Sequence, residues 1–204
     1  LAPATLRATL RRIGLYDIES RSELSSRICD HGDVAVEGLT IEEATVPIRA
    51  AVEASVTRHA LTLLIGGNNA VTRPGVHALD LPLSEVGLIT LDAHLDMRGL
   101  DDGLGNGNPV RALIEDGLPG ANIAQVGLAP FANSRAMHDD ALAAGNRVIS
   151  IGEVADKGIG WAIGEALAHT AHCRALVIDC DIDVIDRAQL PGAPGARPGG
   201  MAAA

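Results

Sequence analysis

The chain is predicted to be an α/β protein, with three layers (α-β-α) about a mostly parallel sheet. Three observations predict it. Apolar runs of five to seven residues alternate with longer stretches of helical period. The short runs are apolar on both faces, as strands covered by helices on two sides must be. Three polar clusters, Asn68-Asn69, Asp92 to Asp96 and Asp181 to Asp183, each follow such a run. That position is the C-terminal edge of the sheet, where ligands bind in open α/β folds. No internal repeat or low-complexity linker interrupts the pattern, so residues 1–204 read as one domain.

The elements follow in order. Pro3 to Ile13 has Leu6, Leu10 and Ile13 on one helical face. Ile28 to Val36 reads as a weak strand carrying His31-Gly32-Asp33. Thr40, with Glu43 three residues on, is a capping box opening a helix to about Arg58. Leu61 to Ile65 is predicted as a strand ending at Gly66-Gly67-Asn68-Asn69, with a short helix after it. Val86 to Leu91 is the next strand. Pro109 to Asp116 is a helix with proline in its first turn, where the missing N–H is harmless. Asn122 to Leu128 and Arg147 to Ile151 are strands flanking a helix at Ser134 to Ala144. Glu153 to His172 reads as one long helix interrupted by glycines, and Ala175 to Asp181 as the last strand.

Composition narrows the function. Of 204 residues, 47 % are hydrophobic and only one each is Phe, Trp and Tyr, so Ala, Val, Leu and Ile must build the core. The net charge of −10, with no basic cluster longer than Arg11-Arg12, argues against nucleic acid, whose phosphates demand Lys and Arg. Cys29, Cys173 and Cys180 form no C-x-x-C pair, which favours free thiols and a reducing, cytoplasmic setting. No apolar run approaches the ~20 residues of a membrane helix, and no signal peptide precedes the first amphipathic stretch. The chain opens on Leu1 and stops at Met201-Ala-Ala-Ala, so both ends read as cut.

Chemistry concentrates in Asp92-Ala93-His94-Leu95-Asp96 and Asp181-Ile182-Asp183. Side chains two apart on an extended chain point the same way. Asp92, His94 and Asp96 can therefore converge, with Asp181 and Asp183 facing them. Carboxylates near 4 Å repel by roughly 4 kcal/mol per pair at an effective dielectric of about 20. Such a pocket needs cations, and carboxylates with one imidazole suit Mn²⁺ better than a thiolate-seeking metal. A two-metal hydrolytic site is the expectation.

Other readings fail or stay secondary. Asp179-x-Asp181-x-Asp183 imitates an EF-hand opening, but Val184 and Leu190 stand where its glycine and closing glutamate belong. Gly103, Gly105 and Gly107 lack nucleotide-loop spacing, and no G-K-[ST] follows. No serine sits in a G-x-S-x-G turn. His31 is read first as a histidine satisfied by backbone and second as a proton carrier. His59, His77, His138, His169 and His172 read as helix-surface residues. Cys180 alternates with the acidic side chains and is expected to be a buried core thiol. Arg111 has the bidentate fork to bind a substrate carboxylate, with a plain surface charge as the equal alternative.

On these residues the chain resembles the ureohydrolase superfamily of arginase, agmatinase and formimidoylglutamase. The G-G-D-H block appears as Gly66-Gly67-Asn68-Asn69, and the D-A-H-x-D block is intact as Asp92 to Asp96. The S-x-D-x-D block appears as Asp179-Cys180-Asp181-Ile182-Asp183, with Asp186 following. The resemblance implies a parallel α/β fold with a Mn²⁺ pair at its C-terminal edge. It implies Asp92 and Asp181 as bridging ligands, His94 and Asp183 completing one site, and Asp96 and Asn69 the other. Asn69 stands where the family has histidine, so the second site is expected to be weak, and Asp179 replaces the family's serine. Gly105 to Arg111 looks more like the S-G-T-P-F-R stretch of formimidoylglutamases than like arginases, which points to Asn106, Asn108 and Arg111 as substrate contacts. The family continues past Pro198-Gly199-Gly200 and begins with a further strand before Leu1. Relatives form trimers or hexamers, implying a homo-oligomer, although no self-complementary face is legible.

The expected function is manganese-dependent hydrolysis of a linear amidine or guanidine C–N bond by a metal-bound hydroxide. A small guanidino or formimino acid would be the substrate, with Asp183 or His31 moving the proton. The alternative is a catalytically impaired homologue that binds metal in a structural or regulatory role, motivated by the Asn68-Asn69 pair.

Overall fold

The structure is a computed structural model and describes residues 2–25 and 27–203. Helix α1 (Ala2–Leu10) leads into a two-residue hairpin, β1 (Tyr16–Asp17) with β2 (Ser22–Glu23). Then come α2 (Ile41–Val56), α3 (Thr72–His77), β3 (Val86–Leu91), α4 (Pro109–Glu115) and β4 (Ile123–Leu128). The remainder is α5 (Arg135–Ala144), β5 (Arg147–Ser150), α6 (Ile151–Lys157), α7 (Ile159–Thr170) and β6 (Ala175–Cys180).

Four strands form one parallel sheet in the order β5-β4-β3-β6. Alternation along β3 and β4 divides the core. Val86, Leu88 and Ile123 pack with α3, α4 and α5 through Val76, Val110, Leu113 and Ala141. Ile89, Ala124 and Val126 face the other way, onto Ile151, Val154, Ala162 and Ala166 of α6 and α7. These are the three layers expected. Methionine joins the aliphatic core at Met97, which is 1 % exposed, a use of its flexible chain that composition alone did not reveal.

Several expectations change. Ile28–Val36 is irregular: Ile28 is exposed, and Val34 packs at the edge of the α2 cluster. The segment from Leu61 to Ile65 has the right alternation, with Leu64 packed toward Ile48 and Val52, but it joins no ladder among the described residues. A strand is stabilised by a paired neighbour, and period-two polarity cannot supply one. The long helix after β5 is two helices. Gly158, at φ +89°, ends α6 in a conformation that costs glycine little and other residues much. Cys180 is exposed rather than buried, because the outer face of β6, with Leu176 and Ile178, is left open.

Strand order turns at one place. From β3 the chain moves outward to β4 and β5, then returns to place β6 on the other side of β3. The crevice between the carboxyl ends of β3 and β6 is therefore the topological switch point.

Candidate metal centre

Both acidic motifs leave the sheet at that crevice. Leu91 pairs with Cys180 in the last rung of the β3–β6 ladder, so Asp92 and Asp181 follow side by side. Each then turns tightly on its own carboxylate: Asp92 Oδ1 accepts from His94 N at 2.7 Å, and Asp181 Oδ1 from Asp183 N at 3.0 Å. Such Asx turns are what aspartate does when a strand ends. His94 Nδ1 lies 3.1 Å from Asp183 Oδ2 and 3.4 Å from Asp92 Oδ1. Among the described residues, Asp92, His94 and Asp183 each offer a ligand atom within 4.8 Å of the others.

Asp96 stands beside them in a left-handed conformation at φ +52°. Its Oδ2 accepts from Asn69 Nδ2 at 2.6 Å, at the turn Asn69–Val71 that opens α3. Thr72 Oγ1 is 3.1 Å from Asn69 Oδ1 and 2.9 Å from Asp179 Oδ2. Asn69, Asp96 and Asp179 thus make a second polar group linked to the first through Asp92 and Asp181.

The electrostatics are those of anions withdrawn from water. Burial pushes Asp92 up to about 7, with Asp181 and Asp183 adding to the rise. Burial and then the charge of Asp92 push Asp96 to about 8. Asp179 rises to about 6 through burial, and Asp181 also rises for that reason first. Asp183 feels the same burial, but the His94 contact outweighs it and holds its carboxyl below the ordinary range. His94 in turn is pushed up to about 10 by Asp183 and Asp92. A fixed positive charge would relieve all four raised carboxylates at once.

The donor set fits a hard divalent cation: five carboxylates, one imidazole and one amide oxygen. A further observation agrees. Thr90, 2 % exposed, has a hydroxyl without a partner, and its register partner across the sheet is Asp179. An orphaned buried hydroxyl in register with Asp179 suits a site built for additional oxygen-bound contents.

Residues outside the motifs hold them. Asn133 accepts from Leu95 N at 2.7 Å and donates to Ala93 O at 3.1 Å. Gln125, fully buried, donates to Leu95 O at 2.8 Å and accepts from Asn146 Nδ2 at 2.9 Å. Sequence reasoning missed these supports; a lone glutamine in an otherwise apolar strand was the available signal. Downstream of β6, Asp186 accepts from Ala188 N and Gly199 N and folds the following loop back. That loop brings Gly195 against Asp183 Oδ2 and His94 Cε1 so closely that a Cβ would overlap them.

The other singled-out residues lie apart from the carboxylates. His31 is exposed, its Nε2 2.9 Å from His59 Nε2. Asn108 is buried and spends its side chain on the loop, accepting from Gly105 N and donating to Gly99 O and Gly103 O. Arg111 pairs with Asp140, and Asn106 stands exposed on the same loop. His77 bonds Asp116 and His172 bonds Asn122.

A family model described as the arginase family matches residues 1–204. A formimidoylglutamase of Halalkalibacterium halodurans is 30 % identical over 210 residues, spanning 98 % of this chain and 65 % of its own length. The crystal structure of formimidoylglutamase from Bacillus subtilis superposes with a TM-score of 0.91 at 28 % identity, covering 98 % of this chain and 64 % of that one. A Trypanosoma cruzi formiminoglutamase solved with Mn²⁺ superposes at 0.89 and 26 % identity, covering 98 % and 68 %. This chain thus spans about two thirds of the length of the relatives it matches.

Proposed function

The chain belongs to the arginase family, and from that premise we propose that it hydrolyses a linear amidine or guanidine C–N bond at a Mn²⁺ centre. The observation that carries the reading is the convergence of Asp92, His94 and Asp183 within 4.8 Å, at the switch point of the sheet. Asp92, His94, Asp181 and Asp183 would hold one ion, and Asp96 with Asn69 would hold a second. A formimino acid is the favoured substrate, since relatives described as formimidoylglutamases match 98 % of the chain. Three free cysteines favour a reducing compartment such as the cytoplasm.

Manganese, when bound, supplies the Lewis acidity that makes water nucleophilic at neutral pH. The protein does the rest. The crevice between the carboxyl ends of β3 and β6 would receive the amidine carbon beside the cation that Asp92, Asp96 and Asp181 hold. Asp183 Oδ2, kept ionised by His94, takes a proton from the attacking water as its oxygen bonds the amidine carbon. The same proton passes to the departing nitrogen as the C–N bond breaks. His31, paired with His59 outside the acidic group, has no part in this reading. Asn106, exposed on its loop, is the candidate for the substrate's acid group. Arg111 is held beside Asp140 through Nη2, and its Nε has no partner.

A second reading rests on the Asn69 amide, which donates to Asp96 where an imidazole ligand would stand. On it the chain holds one ion and is catalytically impaired. One experiment separates the two: elemental analysis after dialysis against Mn²⁺, with hydrolysis of formiminoglutamate, guanidinobutyrate and agmatine assayed on the same sample. Two ions with turnover support the enzyme, one ion without turnover supports the impaired homologue, and no ion removes both.

A further inference from the structure

His31 and His59 take no part in the carboxylate centre, yet they meet each other. Their Nε2 atoms are 2.9 Å apart, with ring centroids 5.0 Å apart and ring planes at 61°. The two lie 28 residues apart in the chain, so the fold makes this contact and local sequence does not. Both sides of it are anchored. The backbone N–H of His59 donates to Ser55 O at 3.1 Å, continuing the last turn of α2. His31 sits in a turn closed by Asp30 Oδ1, which accepts from Gly32 N at 2.9 Å. Arg7 of α1 clamps that turn. Its Nε and Nη2 donate to the two Asp30 oxygens at 2.7 and 3.0 Å, and its Nη1 donates to Asp33 Oδ1 at 2.8 Å. Such a fork fixes a carboxylate in orientation as well as in place.

We propose that His31 and His59 form a separate metal site, a two-nitrogen chelate for Ni²⁺ or Cu²⁺ whose remaining positions are taken by water. Two neutral imidazoles at this distance bond each other only when one ring donates and the other accepts. A transition-metal ion uses both lone pairs instead. Imidazole nitrogens lie about 2.0–2.1 Å from such an ion, so two of them are about 2.9 Å apart at a right angle and about 3.3 Å apart at a tetrahedral one. The spacing here is that of the right angle, which belongs to tetragonal Ni²⁺ and Cu²⁺ and not to zinc. The rings need only tilt until their lone pairs converge, a motion that surface side chains make within nanoseconds. His31 is exposed and His59 partly so, which leaves the other positions open to solvent. The Asp30 carboxylate and Asp33 Oδ1 are spent on Arg7, so nitrogen dominates the donor set. Mn²⁺ stands lowest in the affinity order for divalent first-row ions and Cu²⁺ highest. The pair thus selects different ions from the carboxylate centre, and the inference does not depend on the Mn²⁺ reading above.

Calorimetric Ni²⁺ titration of the full chain in excess Mn²⁺, near neutral pH, tests it in wild type, His31→Ala, His59→Ala, the double variant and Asp92→Asn. Wild type and Asp92→Asn should bind one Ni²⁺ with equal affinity at this site. Each histidine variant should bind it at least about 10-fold more weakly, since loss of a ligand's outer support alone costs that much. The double variant should lose less than the two single losses combined, because either substitution already breaks the chelate. Circular dichroism should show every variant folded, and the histidine variants should keep the wild-type Mn²⁺ content. Ni²⁺ bound as tightly by His31→Ala as by wild type, or losses that simply add, would reduce the pair to a hydrogen bond and overturn the inference. Ni²⁺ lost from Asp92→Asn alone would place the ion among the carboxylates and overturn it equally.

Discussion

Gly195 presses its backbone against the Asp183 carboxylate so closely that no side chain fits between them. The loop after β6 is thereby the outer wall of the site. Gly195→Ala should displace Asp183 Oδ2 from His94 and lower Mn²⁺ affinity about 10- to 100-fold, as loss of ligand orientation does. Circular dichroism should show the fold retained. Affinity within twofold of wild type would mean that the loop swings aside at no cost.

The metal-free protein should lose stability as pH rises. Asp92 and Asp96 are raised to about 7 and about 8 by burial, and His94 is raised to about 10 by its carboxylate partners. A raised folded-state value means stability that is whole below the unfolded value and lost as pH climbs through the folded one. For the carboxylates that window runs from about 4 to about 8, and for His94 from about 6.5 to about 10. Asp183, held low, acts in the opposite sense only in acid. Thermal midpoints in chelator should fall steadily from pH 5 to pH 9, and the gain from Mn²⁺ should widen over the same range, because ligands must shed protons to bind. A flat profile would show that the carboxylates stay hydrated.

Asp92→Asn should separate stability from binding. The amide keeps the Oδ1 that accepts from His94 N while removing a buried charge. At pH 8 in chelator the variant should melt about 2–4 °C higher, equivalent to about 1 kcal/mol in a domain of this size. Its Mn²⁺ content should fall to nothing. Retained metal would remove Asp92 from the ligand set.

Asn133→Ala tests the scaffold. It leaves Leu95 N without its acceptor, at a cost of about 1–3 kcal/mol where the group stays buried, while Ala93 O keeps its bond from Ala129 N. Chemical denaturation should show a loss in that range, accompanied by weaker Mn²⁺ binding, since both groups belong to the turn that carries His94. Lost stability with unchanged metal affinity would mean that Asp92 and Gln125 hold the turn without it.

Much of this site could be read from residues in order, because strand geometry does the placing. Asp92, His94 and Asp183 come together because two strand ends are neighbours, and the apolar runs before them announce the strands. What was not legible depends on partners far along the chain. Leu61 to Ile65 has the alternation of a strand but joins no ladder among the described residues. Cys180 alternates as expected, yet burial depends on a covering layer that periodicity does not reveal. Asn108 resembles a substrate contact in its sequence setting and is consumed by three loop hydrogen bonds. Gln125 and Asn133 act through backbone atoms, which no motif records.

The β3–β6 pairing has a kinetic consequence. Its ladder joins residues 86–91 to residues 175–180, so the crevice exists only after the intervening chain has wrapped and the return strand has docked. A cation clasped there engages interactions completed late, when most of the chain has already condensed. Late interactions change the rate of escape from the native state more than the rate of reaching it. Manganese should therefore lengthen the lifetime of the folded chain while leaving its refolding half-time nearly alone, behaving as a latch and not as a nucleus.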